Sequence, residues 1–223
     1  MKASDFITAL KEFTWDIVGF LIPGVLLIFF ITIFISIPIS MDLPYEDGIT
    51  TLIFFFVAYA LGHVLHGVNG YLDSLLKIRN KVVSEIEKSE TYKKAKSFVI
   101  EELNNYGNTV DESNLKLNEV RNFAMSRFPS IDNKVYTFMF RSIIASHLIS
   151  LFSIFGILGL VSWTVYMVWG LAFFKIETVF LVCYILMLLC LFPLIRTKKD
   201  FYSIAMRLPM SVLISTHKNQ KDD

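Results

Sequence analysis

Charge is missing from four long stretches of this sequence, at residues 17–39, 48–72, 142–174 and 178–195. A helix needs about 17–25 mainly apolar residues to cross the hydrocarbon core of a bilayer, and each stretch reaches that length. With 54% hydrophobic residues and 21 Phe, a soluble domain would expose large apolar patches that globular proteins avoid. The sequence therefore predicts an all-α, polytopic membrane protein with four transmembrane helices.

Cysteine is also scarce, and the two present, Cys183 and Cys190, both fall in the fourth charge-free stretch. On one straight helix their Cα atoms would lie about 10 Å apart, which is too far for a disulfide bond. The chain also lacks Gly-x-Ser-x-Gly, a Gly-rich phosphate loop, His-Glu-x-x-His and paired carboxylates inside the apolar stretches. We therefore predict that the protein is not an enzyme and holds neither a metal nor a cofactor.

The first charge-free stretch follows an amphipathic segment that ends near Trp15 and suits the interface between lipid and water. The stretch is too long for the apolar core of a signal peptide, so we predict an uncleaved first span with a kink at Pro23-Gly24. The resulting segments are an interfacial segment at 1–16, two spans at 17–72, a cytosolic helical region at 73–141, two spans at 142–195 and a cytosolic tail at 196–223.

The second charge-free stretch passes into a charged, amphipathic stretch without a strong helix breaker. We predict one long helix from Gly48 to Glu102, half in lipid and half in water, that links the cytosol to the membrane. The asparagines near Asn104 break it, and Thr109 with Glu112 has the spacing of a capping box for the next helix. The water-exposed half of the predicted Gly48–Glu102 helix is expected to pack through Leu72, Leu76, Val83 and Ile86.

The sequence after residue 129 predicts two more long helices. After a turn at residues 129–133, a third helix begins near Asn133 and continues into the charge-free stretch that ends at Phe174. A tight turn at residues 175–177 leads to the fourth span, which begins at Thr178. That span is expected to stop at Ile195, because Arg196, Lys198 and Lys199 follow.

Positive charge predicts the orientation of the spans. All of the 21 Lys and Arg residues except Lys175 fall before the first span, between the second and third, or after the fourth. The positive-inside rule therefore places both termini and residues 73–141 in the cytoplasm, which predicts a multi-pass membrane protein with cytoplasmic termini.

Three histidines lie within the predicted spans. Tyr59, His63 and His66 share one face of the second span, and His147 is expected at a similar depth in the third. Histidines in a membrane point to the interface, bond across helices, line a hydrated path or, least often, bind a metal or haem. Toward the other end of the second span lie Leu52, Phe55 and Phe56. In an oligomer with this helix around a pore, a ring of these large apolar side chains would close the pore by dewetting.

A stripe of small residues follows the third span at helical spacing. Such residues allow close helix packing, and their hydroxyl groups also suit a weakly polar pore wall. The stripe comprises Ser142, Ser146, Ser150 and Ser153, with Gly156 after them.

The cytosolic region contains a modest set of basic residues. Such a pattern is usually a solvated face, but in a symmetric oligomer it becomes a ring that can hold an anionic ligand such as a nucleotide or a short oligonucleotide. Nearby aromatic residues are mostly expected in the core, with some able to stack on bases. The basic candidates are Lys93, Lys94, Lys96, Lys116, Arg121 and Arg127, and the aromatic ones are Tyr92, Phe98, Tyr106, Phe123 and Phe128.

Four spans with cytoplasmic ends and a helical insert of about 70 residues between the second and third resemble the small membrane effectors of bacterial anti-phage systems. The closest resemblance is to the channel-forming effector of the Hailong system, with a weaker one to the Kiwa membrane component. The resemblance implies a homo-oligomer of a bacterial cytoplasmic (inner) membrane, with a tetramer favoured. Its cytosolic part would bind an oligonucleotide-type signal, and its spans would conduct ions across the membrane.

Two functions remain open on the sequence. In the first, the chain is an oligomeric, ligand-gated channel that acts as an antiviral effector within membrane lipid. In the second, it is a non-conducting membrane scaffold whose cytosolic helices recruit a partner protein.

Overall fold

The computed structural model describes residues 16–36, 48–105 and 115–222, with side chains described as far as residue 217. Most of the predicted interfacial segment, the turn before Gly48 and the predicted capping box at Thr109 and Glu112 lie outside these ranges. The remaining expectations about the spans and the helical region can be compared with the structure.

The prediction of an all-α, polytopic membrane protein is confirmed. Four helical segments are long and apolar enough to cross a membrane, and the described residues contain one isolated β-bridge, between Ile35 and Phe174, but no strand. The four segments are Ile17–Phe34, Gly48–Leu76, Pro129–Trp169 and Thr178–His217.

The first span starts as a π-helical turn at Ile17–Leu21 and continues as helix α1 at Ile22–Phe34. The amide of Ile22 donates to the carbonyl oxygen of Ile17, and the wider turn lies just before Pro23, which has no amide hydrogen to donate. The predicted end at Ile39 is wrong for the helix, because Ile35 is already extended and forms the bridge to Phe174.

The predicted long helix from Gly48 to Glu102 is wrong, because it consists of three helices. Helix α2 (Gly48–Leu76) ends at Lys77, whose backbone is left-handed with φ 52°. Helix α3 (Ile78–Glu87) ends before Ser89, whose hydroxyl donates to the carbonyl oxygen of Ile86, and helix α4 (Glu90–Asn105) follows. A left-handed residue reverses the local helical geometry, so a continuous helix cannot pass through Lys77.

The later helices differ from the predictions mainly at their ends. Helix α5 (Leu117–Arg127) starts with a carboxylate of Glu119 accepting from the amide of Lys116 at 2.7 Å. A 3₁₀ turn at Pro129–Ile131 leads into helix α6 (Asp132–Trp169), which ends five residues before Phe174. Gly170 follows the helix with a left-handed backbone, φ 71°.

Helix α7 (Thr178–Asp222) does not stop at Ile195 as expected. It runs for 45 residues through the basic residues at 196–199. The prediction failed because those charges end the apolar stretch without removing any backbone hydrogen bond, so the helix continues beyond the span.

The chain divides into two compact units. The membrane unit contains Met1–Leu72 and Ile143–Arg196, and the helical unit contains Asp73–Ser142 and Thr197–Asp223. Helices α1, α2, α6 and α7 all contribute to one apolar core of the membrane unit. Its buried residues include Phe34, Leu65, Leu151, Phe155, Tyr184 and Met187.

Small residues let α1 and α2 cross closely in the membrane unit. Ala58 and Gly62, one turn apart on α2, are both buried. A Cβ atom on Gly24 would overlap the carbonyl oxygen of Ala58, and one on Gly62 would overlap that of Phe20. The two helix backbones are therefore in direct contact, which is the use of small residues typical of membrane helices.

The helical unit packs α3, α4, α5 and the second half of α7 around its own core. The face of α3 that is buried carries Ile78, Val82 and Ile86, whereas the expected Leu76 is 41% exposed. In this unit Tyr92 is buried and its hydroxyl donates to the carbonyl oxygen of Leu115 at 3.2 Å. Burial raises the pKa of Tyr92 above its ordinary value, so the hydroxyl stays protonated as a donor.

Ion pairs link α7 to the start of the helical unit. The Nζ of Lys198 lies 3.0 Å from the Oδ1 of Asp73, and these two side chains are only 12% and 21% exposed. Lys199 donates to Glu85 at 2.8 Å at the surface, and this hydrogen bond lowers the pKa of the Glu85 carboxyl. Lys198 and Lys199, which were expected to follow the end of the fourth span, thus form ion pairs within the helical unit.

Candidate functional site

The polar side chains of α2 gather around one aromatic ring. Phe20 stacks on His63 with ring centroids 3.9 Å apart and an interplanar angle of 15°. The same ring meets His66 edge-on at 5.4 Å and Tyr59 at 6.0 Å. Tyr59, His63 and His66 remain exposed in the single chain. We call these three residues the histidine face.

A third histidine joins this group from α6. His147 is 2% exposed, and its ring centroid lies 5.8 Å from that of His66. Its Nδ1 lies 2.9 Å from the carbonyl oxygen of Ile143. A carbonyl oxygen can only accept, so Nδ1 carries the hydrogen, and a neutral ring then presents Nε2 as an acceptor.

A buried polar pair that was not predicted from the sequence joins α2 to α6. Asn69 on α2 is 5% exposed and Ser150 on α6 is 1% exposed, and the hydroxyl of Ser150 donates to the Oδ1 of Asn69. Within the described residues, the Nδ2 of Asn69 has no hydrogen-bond partner. The signal was an amide three residues after His66 in a charge-free stretch, where a buried polar side chain needs a partner.

The serines of α6 have separate roles. Ser150 bonds Asn69, whereas the hydroxyl of Ser142 donates to the carbonyl oxygen of Lys198 at 3.2 Å within the helical unit. Ser146 and Ser153 are half-buried, and Ser153 lines a small apolar groove with residues of α2 that include Val68 and Leu72. Of these four serines, Ser150 is therefore the one that bonds a polar side chain of α2.

Phe55 and Phe56 lie on the exposed surface of α2, 48% and 68% exposed. With Leu52 and Tyr59 they line an open groove of about 560 Å³ against the start of the first span. Asp16 supplies a carboxyl to this otherwise apolar groove. The predicted pair of large apolar residues thus faces away from the core of the single chain, where another molecule can reach it.

The lysines among the basic candidates stay at the surface of the helical unit. Lys93 and Lys94 are exposed, and Lys93 forms an ion pair with Glu90 at 3.1 Å. Lys96 lies over the ring of Tyr92 at 6.0 Å, and the side chain of Lys116 is exposed at the start of α5.

The two arginine candidates instead contact the protein. Arg121 donates to the Oδ1 of Asn122 and lies 3.2 Å from the sulfur of Met206. Arg127 pairs with Glu102 and lies over the ring of Phe123. Of the aromatic candidates, Tyr92 is buried, Phe123 and Phe128 pack against the core, Phe98 contacts His217, and Tyr106 lies outside the described ranges.

Metal coordination has no support in the part of the chain that the structure describes, because no three His, Cys, Asp or Glu side chains come together there. Neither Cys183, which is half-buried, nor Cys190, which is exposed, forms a disulfide. No family model, curated protein or solved structure matches this chain.

Proposed function

We propose that this chain forms a homo-oligomeric channel, with a tetramer favoured, in a bacterial cytoplasmic membrane. The channel conducts ions along α2 and is gated by an anionic, nucleotide-type ligand on the helical unit. The role of an anti-phage effector and the tetramer rest on the resemblance described above. The permeation path rests on the surface of α2.

The observation that carries the proposal is the exposed histidine face on a helix able to span a membrane. A polar side chain at membrane depth costs free energy in lipid and is normally turned to a protein neighbour or to water. On the same helix, Gly67 and Gly70 are exposed, and a Cβ atom on either would meet nothing within 4 Å. Gly24 and Gly62 are already used in the close contact of α1 with α2. Gly67 and Gly70 are not, so they leave room for the helix of another copy.

Phe55 and Phe56 support a gate on the same helix. Large apolar side chains on a pore-facing surface exclude water from a narrow pore and thereby stop ions without a physical plug. In an oligomer with α2 around its axis, these residues form an apolar ring and the histidine face forms a polar one. In a scaffold, the same phenylalanines only contact lipid or a neighbour.

Replacing Phe56 by serine is expected to open the pore without a ligand, because a hydroxyl wets the apolar ring. Cells that express the variant should lose membrane potential and grow at least tenfold more slowly, as measured with a potential-sensitive dye and by plating. Phe192→Ser is the matched control, since Phe192 is 78% exposed on a different spanning helix. An unchanged potential in a Phe56→Ser variant that still assembles would favour the scaffold.

Labelling of single cysteines tests the orientation, in a variant whose Cys183 and Cys190 are replaced by serine. A cysteine at Glu177 should react with an impermeant maleimide in intact cells, since twenty of the 21 Lys and Arg residues lie on the opposite side. A cysteine at Lys94 should react only after permeabilisation. The reverse pattern would place the helical unit outside the cell and remove the basis for a cytosolic ligand.

A further inference from the structure

A small pocket in the helical unit lies between the last turns of α4 and α5 and the second half of α7. It has a volume of about 220 Å³ and is lined by residues of all three helices. The described lining residues are Glu102, Arg127, Phe128, Leu213, Thr216 and His217. The lining combines charged, polar and apolar side chains, and a few polar groups among apolar ones are what a site uses to orient a small molecule.

The polar side of the pocket presents one charge of each sign. Glu102 and Arg127 form an ion pair whose side chains are 36% and 40% exposed, so a solute can reach both. A carboxylate has two oxygens and a guanidinium has five N–H donors, so the pair retains its mutual contact while each partner binds an additional group. A dianion would be repelled by Glu102, whereas a molecule with one positive and one negative group matches both side chains.

His217 supplies the second group for the negative end of such a molecule. Its ring contacts Phe98 with centroids 4.3 Å apart, which fixes the plane of the imidazole. Within the described residues, its Nε2 is buried and has no hydrogen-bond partner. A buried polar atom without a partner costs free energy, and a ligand carboxylate beside Arg127 would satisfy it if Nε2 carries the hydrogen.

The size and the apolar wall limit the rest of the ligand. At roughly 30 Å³ for each water molecule, the pocket holds about seven waters, which is the volume of a molecule with about seven to ten non-hydrogen atoms. A whole nucleotide is too large to enter, since pockets for drug-sized ligands start near about 300 Å³. Phe128 and Leu213 offer an aromatic and an aliphatic surface. An apolar side chain of moderate size would cover them.

We infer that this pocket binds a free amino acid with an apolar side chain. The α-carboxylate pairs with Arg127 and accepts from the Nε2 of His217, the α-ammonium pairs with Glu102, and the side chain packs on Phe128 and Leu213. This binding site is separate from the proposed pore and from the exposed lysines of the helical unit. It is a second ligand site in the helical unit, and the inference does not depend on whether the protein conducts ions.

Calorimetry on the full chain in detergent tests the inference with L-leucine as the probe. L-Leucine is expected to bind saturably. L-Leucinamide, which lacks the carboxylate, and N-acetyl-L-leucine, which lacks the ammonium, are each expected to bind at least tenfold more weakly. Equal binding of either blocked analogue would overturn the zwitterionic site, as would the absence of saturable leucine binding.

Variants separate recognition from folding. Glu102→Gln keeps an acceptor for Arg127 but removes the charge that binds the ammonium, so leucine binding should fall at least tenfold. The neighbouring Glu101→Gln, at an exposed position on the same helix, is the matched control and should leave binding unchanged. His217→Phe keeps the ring contact with Phe98 and should also weaken the binding of leucine. If each variant retains the melting temperature of the parent protein and still binds leucine normally, the assignment fails.

Because binding is measured without ion flux, the outcome is independent of the channel proposal. Leucine binding in a non-conducting protein would retain this site and remove the channel. If the protein does not bind leucine but its Phe56→Ser variant leaks ions, the channel proposal is retained and the leucine site is removed.

Discussion

Gly62→Val is expected to destabilise the membrane unit, with the largest loss of stability among the substitutions considered. The added Cβ atom would overlap the carbonyl oxygen of Phe20, and the obstacle is a helix backbone that cannot rotate away. Separating α1 from α2 also exposes the buried Ala58. Overpacking of this kind costs about 3 kcal/mol, which corresponds to about 10 °C in melting temperature for a chain of this size.

Gly67→Val provides the control for that substitution, because it adds the same side chain to the same helix. Space around Gly67 is open in the single chain, so the monomer should keep its melting temperature in detergent. Its oligomer should be weakened, because Gly67 lies where the helix of another copy is proposed to pack, and size-exclusion chromatography with light scattering measures that loss. A Gly62→Val protein as stable as the parent would mean that the close crossing of α1 and α2 does not exist in the membrane.

Asp73→Asn is expected to destabilise the helical unit by about 2 kcal/mol. The substitution leaves Lys198 as a charge that is only 12% exposed and without its carboxylate. Removing one partner of a buried pair costs about 3–5 kcal/mol, and the partial exposure of Asp73 lowers that figure. Thermal unfolding followed by circular dichroism measures the loss.

The surface pair of Lys93 and Glu90 is the matched control for Asp73. Its side chains are 61% and 74% exposed, so Glu90→Gln should change stability by less than about 0.5 kcal/mol. The double variant Asp73→Leu with Lys198→Met removes both charges and should recover most of the loss. Equal effects of Asp73→Asn and Glu90→Gln would show that the pair of Asp73 and Lys198 is solvated.

The spans were predictable because membrane insertion is decided by composition over a long stretch. The break at Lys77 was not, because lysine has no preference for a left-handed backbone and nothing in its neighbours marks a turn. The length of α7 was missed because its sequence does contain residues that suggest an end, although the helix continues through them. Arg196 and Lys199 suggest an end, yet even Pro193 and Pro209 leave this helix continuous.

The candidate sites show the same division between local and long-range information. The histidine face follows from helical spacing alone, so the sequence predicted that Tyr59, His63 and His66 lie together. The pairing of Asn69 with Ser150 joins residues 81 positions apart and depends on how α2 meets α6. Arg127 looked like part of a basic surface because its partner, Glu102, belongs to a different helix.

The connection between α6 and α7 contains no helix, but hydrogen bonds attach its backbone to α6 and α1. The hydroxyl of Ser162, which is 4% exposed, accepts from the amides of Phe173 and Phe174, and the amide of Lys175 donates to the carbonyl oxygen of Phe34. An epitope tag or reporter inserted here would break these bonds and separate the ends of two spans. Protein engineers should therefore use single-residue substitutions such as that at Glu177 in this loop, and place any larger insertion elsewhere in the chain.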